Sequence, residues 1–346
     1  YSLTNVFISI AIGGGMGASV LTSRYFGGRN YKRMKTSVST ALLSFLAVSI
    51  VLGGAGLLLG KEIMELLNTP ENIMEDATEY LNIYFIGLPF LFMYNVLASM
   101  FNALGKSGLP LYLLIFSSVF NVVLDVIMVC SFHMGVAGVA WATLIAQGIS
   151  AVMAFLIFAG EMKSYEGGEQ SQWFDKRELG EMCRIALPSI LQQSTVSIGM
   201  MLVQSVVNSF GAQMLAGYSA GMRIESICIV PMAAMGNVMS SYTAQNLGAG
   251  KQERAVKGYH TAYGIVFGFG ILLCVILELF YRPLIAMFLG EEGTVLAMNT
   301  GMSYMRFIGF FFSFIGLKMI TDGLLRGAGD MKVFTIANMV NLCIRV

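Results

Sequence analysis

Ten long apolar runs leave this chain few ways to fold. They lie near residues 2–23, 37–60, 79–104, 109–131, 136–160, 185–209, 214–244, 258–281, 297–325 and from 332 onward. A helix needs about 20 mostly apolar residues to cross a bilayer. Strands are shorter, and those of a membrane barrel alternate apolar and polar residues with a period of two. The runs therefore predict an all-α membrane protein. Short segments bearing Gly or charge punctuate them, such as Gly27-Gly28-Arg29-Asn30 and Gly105-Lys106-Ser107-Gly108. Composition agrees: 56% of residues are apolar and 12% charged, with mean hydropathy +0.72, against roughly 25% charged in a soluble domain. The expected partner is the lipid bilayer. A net charge of +1 with no basic field gives no case for nucleic acid. Cys130, Cys183, Cys228, Cys274 and Cys343 have no metal-ligand spacing, and four fall inside apolar runs, which reads as buried, inert thiols.

Charge alternates from loop to loop. One set holds Arg24, Arg29, Lys32, Arg33 and Lys35; Lys106; Lys163, Lys176, Arg177 and Arg184; Lys251, Arg254 and Lys257; and Arg326 and Lys332. The other holds only Lys61 and Arg282, among the acids Glu62, Glu65, Glu71, Glu75, Asp76, Glu291 and Glu292. Cytoplasmic loops collect Lys and Arg. The loops at 24–36, 105–108, 161–184, 246–257 and 326–332 are thus expected to be cytoplasmic, in a multi-pass protein of a bacterial inner membrane.

The stretch 161–184 is the longest polar one, with Gly167-Gly168 and Gln170-Ser171-Gln172, and reads as a linker. It would join a lobe over 1–160 to a second over 185–346, and the two repeat each other. Gly15-Met16-Gly17 through Asn30 aligns with Gly236-Asn237-Val238 through Lys251 at a shift of 221. Phe85-Ile86-Gly87 aligns with Phe307-Ile308-Gly309 at 222. Leu104-Gly105-Lys106-Ser107-Gly108 aligns with Leu325-Arg326-Gly327-Ala328-Gly329, again at 221. The matched segments share a membrane side, so the repeat is parallel and the bundles pseudo-symmetric, an arrangement suited to alternating access.

These segments resemble the multidrug and toxic compound extrusion (MATE) transporters. Arg24-Tyr25-Phe26-Gly27-Gly28-Arg29-Asn30 and Ala244-Gln245-Asn246-Leu247-Gly248-Ala249-Gly250-Lys251 are similar to the pattern closing that family's second helix and its counterpart in the second lobe. Leu325-Arg326-Gly327-Ala328-Gly329-Asp330 resembles the pattern after its tenth helix, and Gly135 through Thr143 the entry to its sixth. The resemblance implies family helices 2–6 in the first lobe and 7–11 in the second, about ten of twelve. The first helix, the end of the eleventh and the twelfth would then lie outside the sequence, which opens at Tyr1 and closes at Val346 inside apolar runs.

An ionisable group within a span costs about 2.5–3.5 kcal/mol at the helix centre and needs a reason. Asn121 and Asp125 lie four apart, on one helix face. A carboxylate and an amide oxygen suit Na⁺, and the carboxylate alone suits a proton. Thr143 adds a hydroxyl on the next run, with Gln147 a turn deeper. Asn121, Asp125 and Thr143 match the first-lobe cation site of DinF-like family members, which implies binding of Na⁺ or H⁺. The alternative is a structural bridge at Asp125. In the second lobe Lys318 and Asp322 are four apart and read either as an ion pair or as transport residues. Glu225 lies in the span from 214, beside Arg223. Gln192 and Gln193 stand where NorM-like members carry an acid, and together with Gln147, Glu225, Lys318 and Asp322 they are candidate cavity residues. Gly13/Gly17, Gly56/Gly60, Gly217/Gly221, Gly264/Gly268 and Gly323/Gly327 predict close helix crossings. Pro89, Pro188 and Pro231 are candidate kinks. The 25 methionines serve packing or a tolerant cavity, and His133 and His260 read as surface or structural residues rather than a proton relay.

The reading is a monomeric antiporter that exports small cationic or amphipathic organic compounds, coupled to Na⁺ or H⁺ and without a resident cofactor. One alternative is a flippase for a lipid-linked saccharide, although the intramembrane cations are few. Another is a membrane-embedded enzyme, against which stands the lack of clustered aspartates or histidines at a membrane face.

Overall fold

The computed structural model describes residues 2–66, 74–165, 172–290 and 293–345. Glu71, Glu291, Glu292, Gly167, Gly168, Gln170 and Ser171 lie outside them, as do Tyr1 and Val346. Eleven helices account for nearly all described residues: α1 (Ser2–Gly27), α2 (Tyr31–Leu66), α3 (Met74–Ala103), α4 (Gly108–Val126), α5 (Gly135–Ser164), α6 (Lys176–Asn208), α7 (Ala212–Gly248), α8 (Gln252–Leu289), α9 (Val295–Gly309), α10 (Phe312–Ala328) and α11 (Met331–Arg345). Among the described residues, eight helices are long and apolar enough to cross a membrane, and the bent pair α9–α10 passes the same test when the two are taken together. α11 is shorter and apolar.

The chain divides into two compact units, Tyr1–Ile190 and Leu191–Val346. Of the expected linker at 161–184, the described residues 161–164 and 176–184 are helical. α5 runs on through Ser164, α6 begins at Lys176, and the division falls inside α6. The first turns of α6 belong to unit 1 because Glu178, 1% exposed, binds there. It accepts from the Tyr25 hydroxyl at 2.8 Å and from Arg33 Nη2 at 2.8 Å. Lys35 donates to the Tyr165 carbonyl at 2.6 Å, and Lys106 pairs with Glu161 at 2.6 Å. Several cations of the loop set expected in the cytoplasm thus hold helix ends together.

The repeat reappears in the turns. Arg29 and Gly250 are both left-handed, at φ 55° and 71°. Asn30 N–H bonds to the Tyr25 carbonyl and Lys251 N–H to that of Asn246, at 2.9 and 2.8 Å. This is the same helix-closing motif at the expected shift. At the second turn the left-handed residues are Gly105 and Gly329, at φ 76° and 78°. Lys106 N–H bonds there to the Phe101 carbonyl and Asp330 N–H to that of Leu325. The alignment of Gly105 with Arg326 is therefore corrected by three residues. Two of these three extra residues fall after Gly309, where unit 2 breaks its span with a 54° bend between α9 and α10. The run 297–325 reads as one helix because no proline interrupts it. Gly309 is the weak point, and beyond it α10 starts with the buried Phe312 and with Ser313 packed on Gly270 of α8.

Packing repeats as well. In unit 1, α1, α2 and α3 pack on one another; in unit 2, α7 and α8 pack together and on α9 and α10. The core of unit 1 gathers Ala11, Phe85, Leu88 and Phe92, and that of unit 2 Met232, Val266, Leu277, Met305, Phe312 and Ile320. A Cβ on Gly15 would stand 2.7 Å from Ser99 Oγ. At the matching place in unit 2, a Cβ on Gly323 would strike the Gly236 carbonyl, and one on Gly236 would stand 2.7 Å from that of Met319. Small residues give helices dispersion contacts that lipid cannot match. Gly264 and Gly268 have nothing within 4 Å and mark no crossing. The cysteines are not buried: Cys130, Cys183 and Cys343 are exposed, and Cys228 and Cys274 half-buried. An apolar run in a membrane protein presents one face outward, so hydrophobic surroundings in sequence do not place a thiol in the core.

Gly323→Ala is expected to destabilise the protein by about 1–3 kcal/mol through overpacking, whereas Gly264→Ala should cost nothing. Thermal unfolding in detergent checks the pair, and equal midpoints would refute the tight crossing.

Candidate functional site

In unit 1, α4 presents Asn121 and Asp125 one turn apart, and α5 packs alongside. Asn121 Nδ2 donates to Thr143 Oγ1 at 3.3 Å, joining the two helices. Asp125 is half-buried, and its Oδ1 is wholly enclosed without a hydrogen-bond partner. A buried carboxylate oxygen without a donor is costly unless a proton or cation completes it. Two residues past Asp125 the helix widens into a π turn, Ile127–Ser131, closed by Phe132 N–H on the Ile127 carbonyl at 3.2 Å. Such turns are frequent at functional sites. Thr143 and Gln147 also line a cavity of ≈ 20 Å³ against Tyr80 and Tyr84 of α3, room for about one water. Of the three candidate cation ligands, Asn121 and Thr143 are brought together, Asp125 stands one turn along α4 from Asn121, and Gln147 shares the cavity with Thr143.

In unit 2 the candidate cavity residues separate into two places. Gln192 of α6 donates to Asp322 Oδ2 at 2.7 Å and to Asn338 Oδ1 at 3.2 Å. Lys318 Nζ lies 2.6 Å from Asp322 Oδ2 and donates to Asn338 Oδ1 at 2.7 Å. Asn338 Nδ2 reaches the other carboxylate oxygen at 3.4 Å. The ion pair is therefore a four-residue network across three helices. The Asp322 side chain is 7% exposed and that of Lys318 35%. Glu225 lies elsewhere, buried on α7, and accepts from the Tyr304 hydroxyl of α9. Tyr304 is braced edge-on by Tyr218, with ring centroids 5.2 Å apart. Gln193 is half-buried and joins neither group by a side-chain bond among the described contacts. Among the described residues no three His, Cys, Asp or Glu side chains gather as a metal site.

Sequence reasoning missed Asn338, the residue that ties Lys318 to Asp322. Its signal was an amide within the apolar run Phe334-Thr335-Ile336-Ala337-Asn338-Met339. It also missed Tyr304, since tyrosine is unremarked in a span until a carboxylate is found against it.

Among the described residues, eight apolar spans and a bent pair that bury carboxylates, amides and a guanidinium within helical bundles define a multi-pass membrane transporter. The MatE family model matches residues 1–127 and 188–346, and the chain belongs to that family of transporters, which are not enzymes. The probable multidrug resistance protein YpnP of Bacillus subtilis is 30% identical over 335 residues, 96% of this chain and 74% of that one. The probable multidrug resistance protein YoeA of the same organism is 27% identical, over 98% and 74%. Among solved structures, a MATE family multidrug resistance transporter in an outward-facing conformation has TM-score 0.89 at 22% identity, over 98% of this chain and 75% of that one. A transporter of the same superfamily from Pyrococcus furiosus also has TM-score 0.89 at 22% identity, over 97% and 75%. At that identity the likeness speaks for the fold alone.

Tyr304→Phe keeps the ring against Tyr218 and removes the hydroxyl from Glu225. It is expected to cost about 1–3 kcal/mol, read as a lower unfolding midpoint in detergent. An unchanged midpoint would show that the hydroxyl does not hold the carboxylate.

Proposed function

We propose that the protein is a monomeric multidrug exporter of the DinF-like branch that moves small cationic or amphipathic organic compounds outward by alternating access, in exchange for Na⁺ or H⁺. The reading rests above all on the enclosed, unpartnered Asp125 Oδ1, one helical turn from Asn121, which is bonded to Thr143. Asn121 spends its Nδ2 on Thr143, which leaves its amide oxygen to join the carboxylate and the hydroxyl. These are hard oxygen donors of the kind alkali cations prefer. A proton would complete the same carboxylate without the other two. The curated relatives named for multidrug resistance support the export of drugs, and the fifteen cations of one loop set support its placement in the cytoplasm.

Coupling follows from binding energetics. The ion moves the conformational equilibrium only by the difference in its affinity for the two states, so a carboxylate that loses a donor or a solvent path in one state is the lever. Asn121 and Thr143 hold the Asp125 face of α4 against α5, and the π turn sets the register of the backbone beyond it.

Asp125→Asn in the intact protein is expected to abolish ion-driven efflux from proteoliposomes, with insertion and expression near normal. Imposing Na⁺ and H⁺ gradients separately identifies the coupling ion. Full efflux by the variant would refute the mechanism.

A further inference from the structure

Between α8 and α9 of unit 2 an arginine stands exposed among aromatic side chains. The Arg306 side chain is 58% exposed, and its Nε donates to Glu278 Oε2 of α8 at 3.2 Å. Its guanidinium lies over the Tyr281 ring, 5.5 Å from the centroid. Only that one nitrogen holds the ion pair, so among the described contacts the two Nη groups bond to no protein oxygen. Phe307 and Phe310, beside it, are 66% and 62% exposed, a surface that a membrane span turns to lipid.

The depth suits a lipid phosphate. α8 has 38 residues, about 57 Å at 1.5 Å per residue, against a hydrocarbon core about 30 Å thick. A core centred on the helix leaves about 13 Å beyond it at each end. Glu278 lies about 16 Å from the Leu289 end, close to where acyl chains give way to glycerol and phosphate. The side chains of α9 and its C-cap follow the same order along one face. Asn299 and Ser303 lie nearest the α8–α9 loop, then Arg306, then Phe307 and Phe310. With Glu278 and Tyr281 they line an open groove of ≈ 460 Å³.

The repeat supplies an internal comparison. Thr78, Asn82 and Ile86 of α3 stand where Asn299, Ser303 and Phe307 stand on α9, and they also line an open groove, of ≈ 550 Å³. It stays open although α5 packs on α3, so the repeat assigns no helix to this position. Its charged residues are Lys61, Glu75 and Glu79, an acidic excess that repels phosphate. Of the two copies, the one in unit 2 sets a guanidinium against an aromatic floor.

We propose that the α8–α9 groove binds one phospholipid from the leaflet on the side of the α8–α9 loop. Its phosphate oxygens accept from Arg306 Nη1 and Nη2, with Ser303 and Asn299 as further donors, and an acyl chain lies along Phe307 and Phe310. The fork of an arginine matches phosphate geometry, and an arginine at this depth needs an anion or water to offset its cost. Glu278 occupies Nε and leaves the Nη groups for the lipid. A free inorganic anion has nothing to set against the aromatic half of the groove. The lipid ties α9 to α8 just before the break at Phe310 and Phe311. The inference rests on the membrane setting alone and stands apart from the export reading.

The test titrates dioleoylphosphatidylglycerol into the purified protein in detergent and counts bound lipids by native mass spectrometry. One lipid is expected to bind well before any others. Arg306→Gln should weaken that first step about tenfold or more, as loss of a charge-assisted contact does. Ser303→Trp fills the groove from an exposed position and leaves the Arg306–Glu278 pair in place, so it should fold normally and weaken the step as much. Lys61→Gln, in the groove of unit 1, should leave it unchanged. Dioleoylglycerol, which lacks the phosphate, should not take the first step, and excess inorganic phosphate should not displace the lipid. An unchanged first step in either groove variant, or equal binding of dioleoylglycerol, would overturn the proposal. Displacement by inorganic phosphate would reduce the groove to an anion site and overturn it as well.

Discussion

Inside a lipid-solvated bundle a polar side chain has only other protein groups to bond with, because the acyl chains offer neither donors nor acceptors. Most of what is specific in this structure follows from that constraint. Glu225 takes Tyr304. Asp322 takes a lysine and two amides. Each carboxylate fixes the rotation of the helices that serve it, since a turn of the helix would withdraw the donor. Against that background two carboxylate oxygens among the described residues are enclosed without a donor, Asp125 Oδ1 and Glu278 Oε1; Glu278 has its other oxygen held by Arg306, whereas Asp125 asks for a mobile partner.

Helix contact is governed by a different term. Apolar side chains gain little from leaving lipid for protein, so close crossings come from shape. Ser99 against Gly15 and Gly323 against Gly236 are one crossing in two copies, tighter in the second, where neither helix carries a Cβ. The carboxylate networks set rotation and the small-residue crossings set distance. Together they hold α10 so that Lys318 and Asp322 face α11 and the end of α6 that belongs to unit 2.

Much of this was legible in the sequence, for identifiable reasons. Span length follows from bilayer thickness, so the helices could be read from apolar runs, and their polar ends were underestimated because helices continue into the interface. The repeat was visible at Arg29 and Gly250 because a helix-closing turn needs a left-handed residue at one fixed position. Its register slipped at Gly105 because the compensating residues lie at a helix break that carries no proline. Asn121, Asp125 and Thr143 could be grouped by spacing along two adjacent helices. The grouping of Lys318 with Gln192 could not, since it depends on how three distant helices cross. Gly264 and Gly268 show the converse, a spacing that promises a crossing with no helix there to meet it. Glu178 was hidden by its neighbourhood of charges, which looks solvated until Tyr25 and Arg33 are seen closing over it.

The interruption between α9 and α10 has a mechanical meaning. Unit 1 answers it with Pro89 inside α3, at the equivalent place in the repeat, and there the helix continues through the proline. A rod with one weakened step carries torque from end to end, whereas two rods meeting at Phe310 and Phe311 take it up in a few backbone torsions. Twisting the Tyr304 end of unit 2 therefore need not turn its Asp322 end, and each carboxylate can keep its own partners while the other changes.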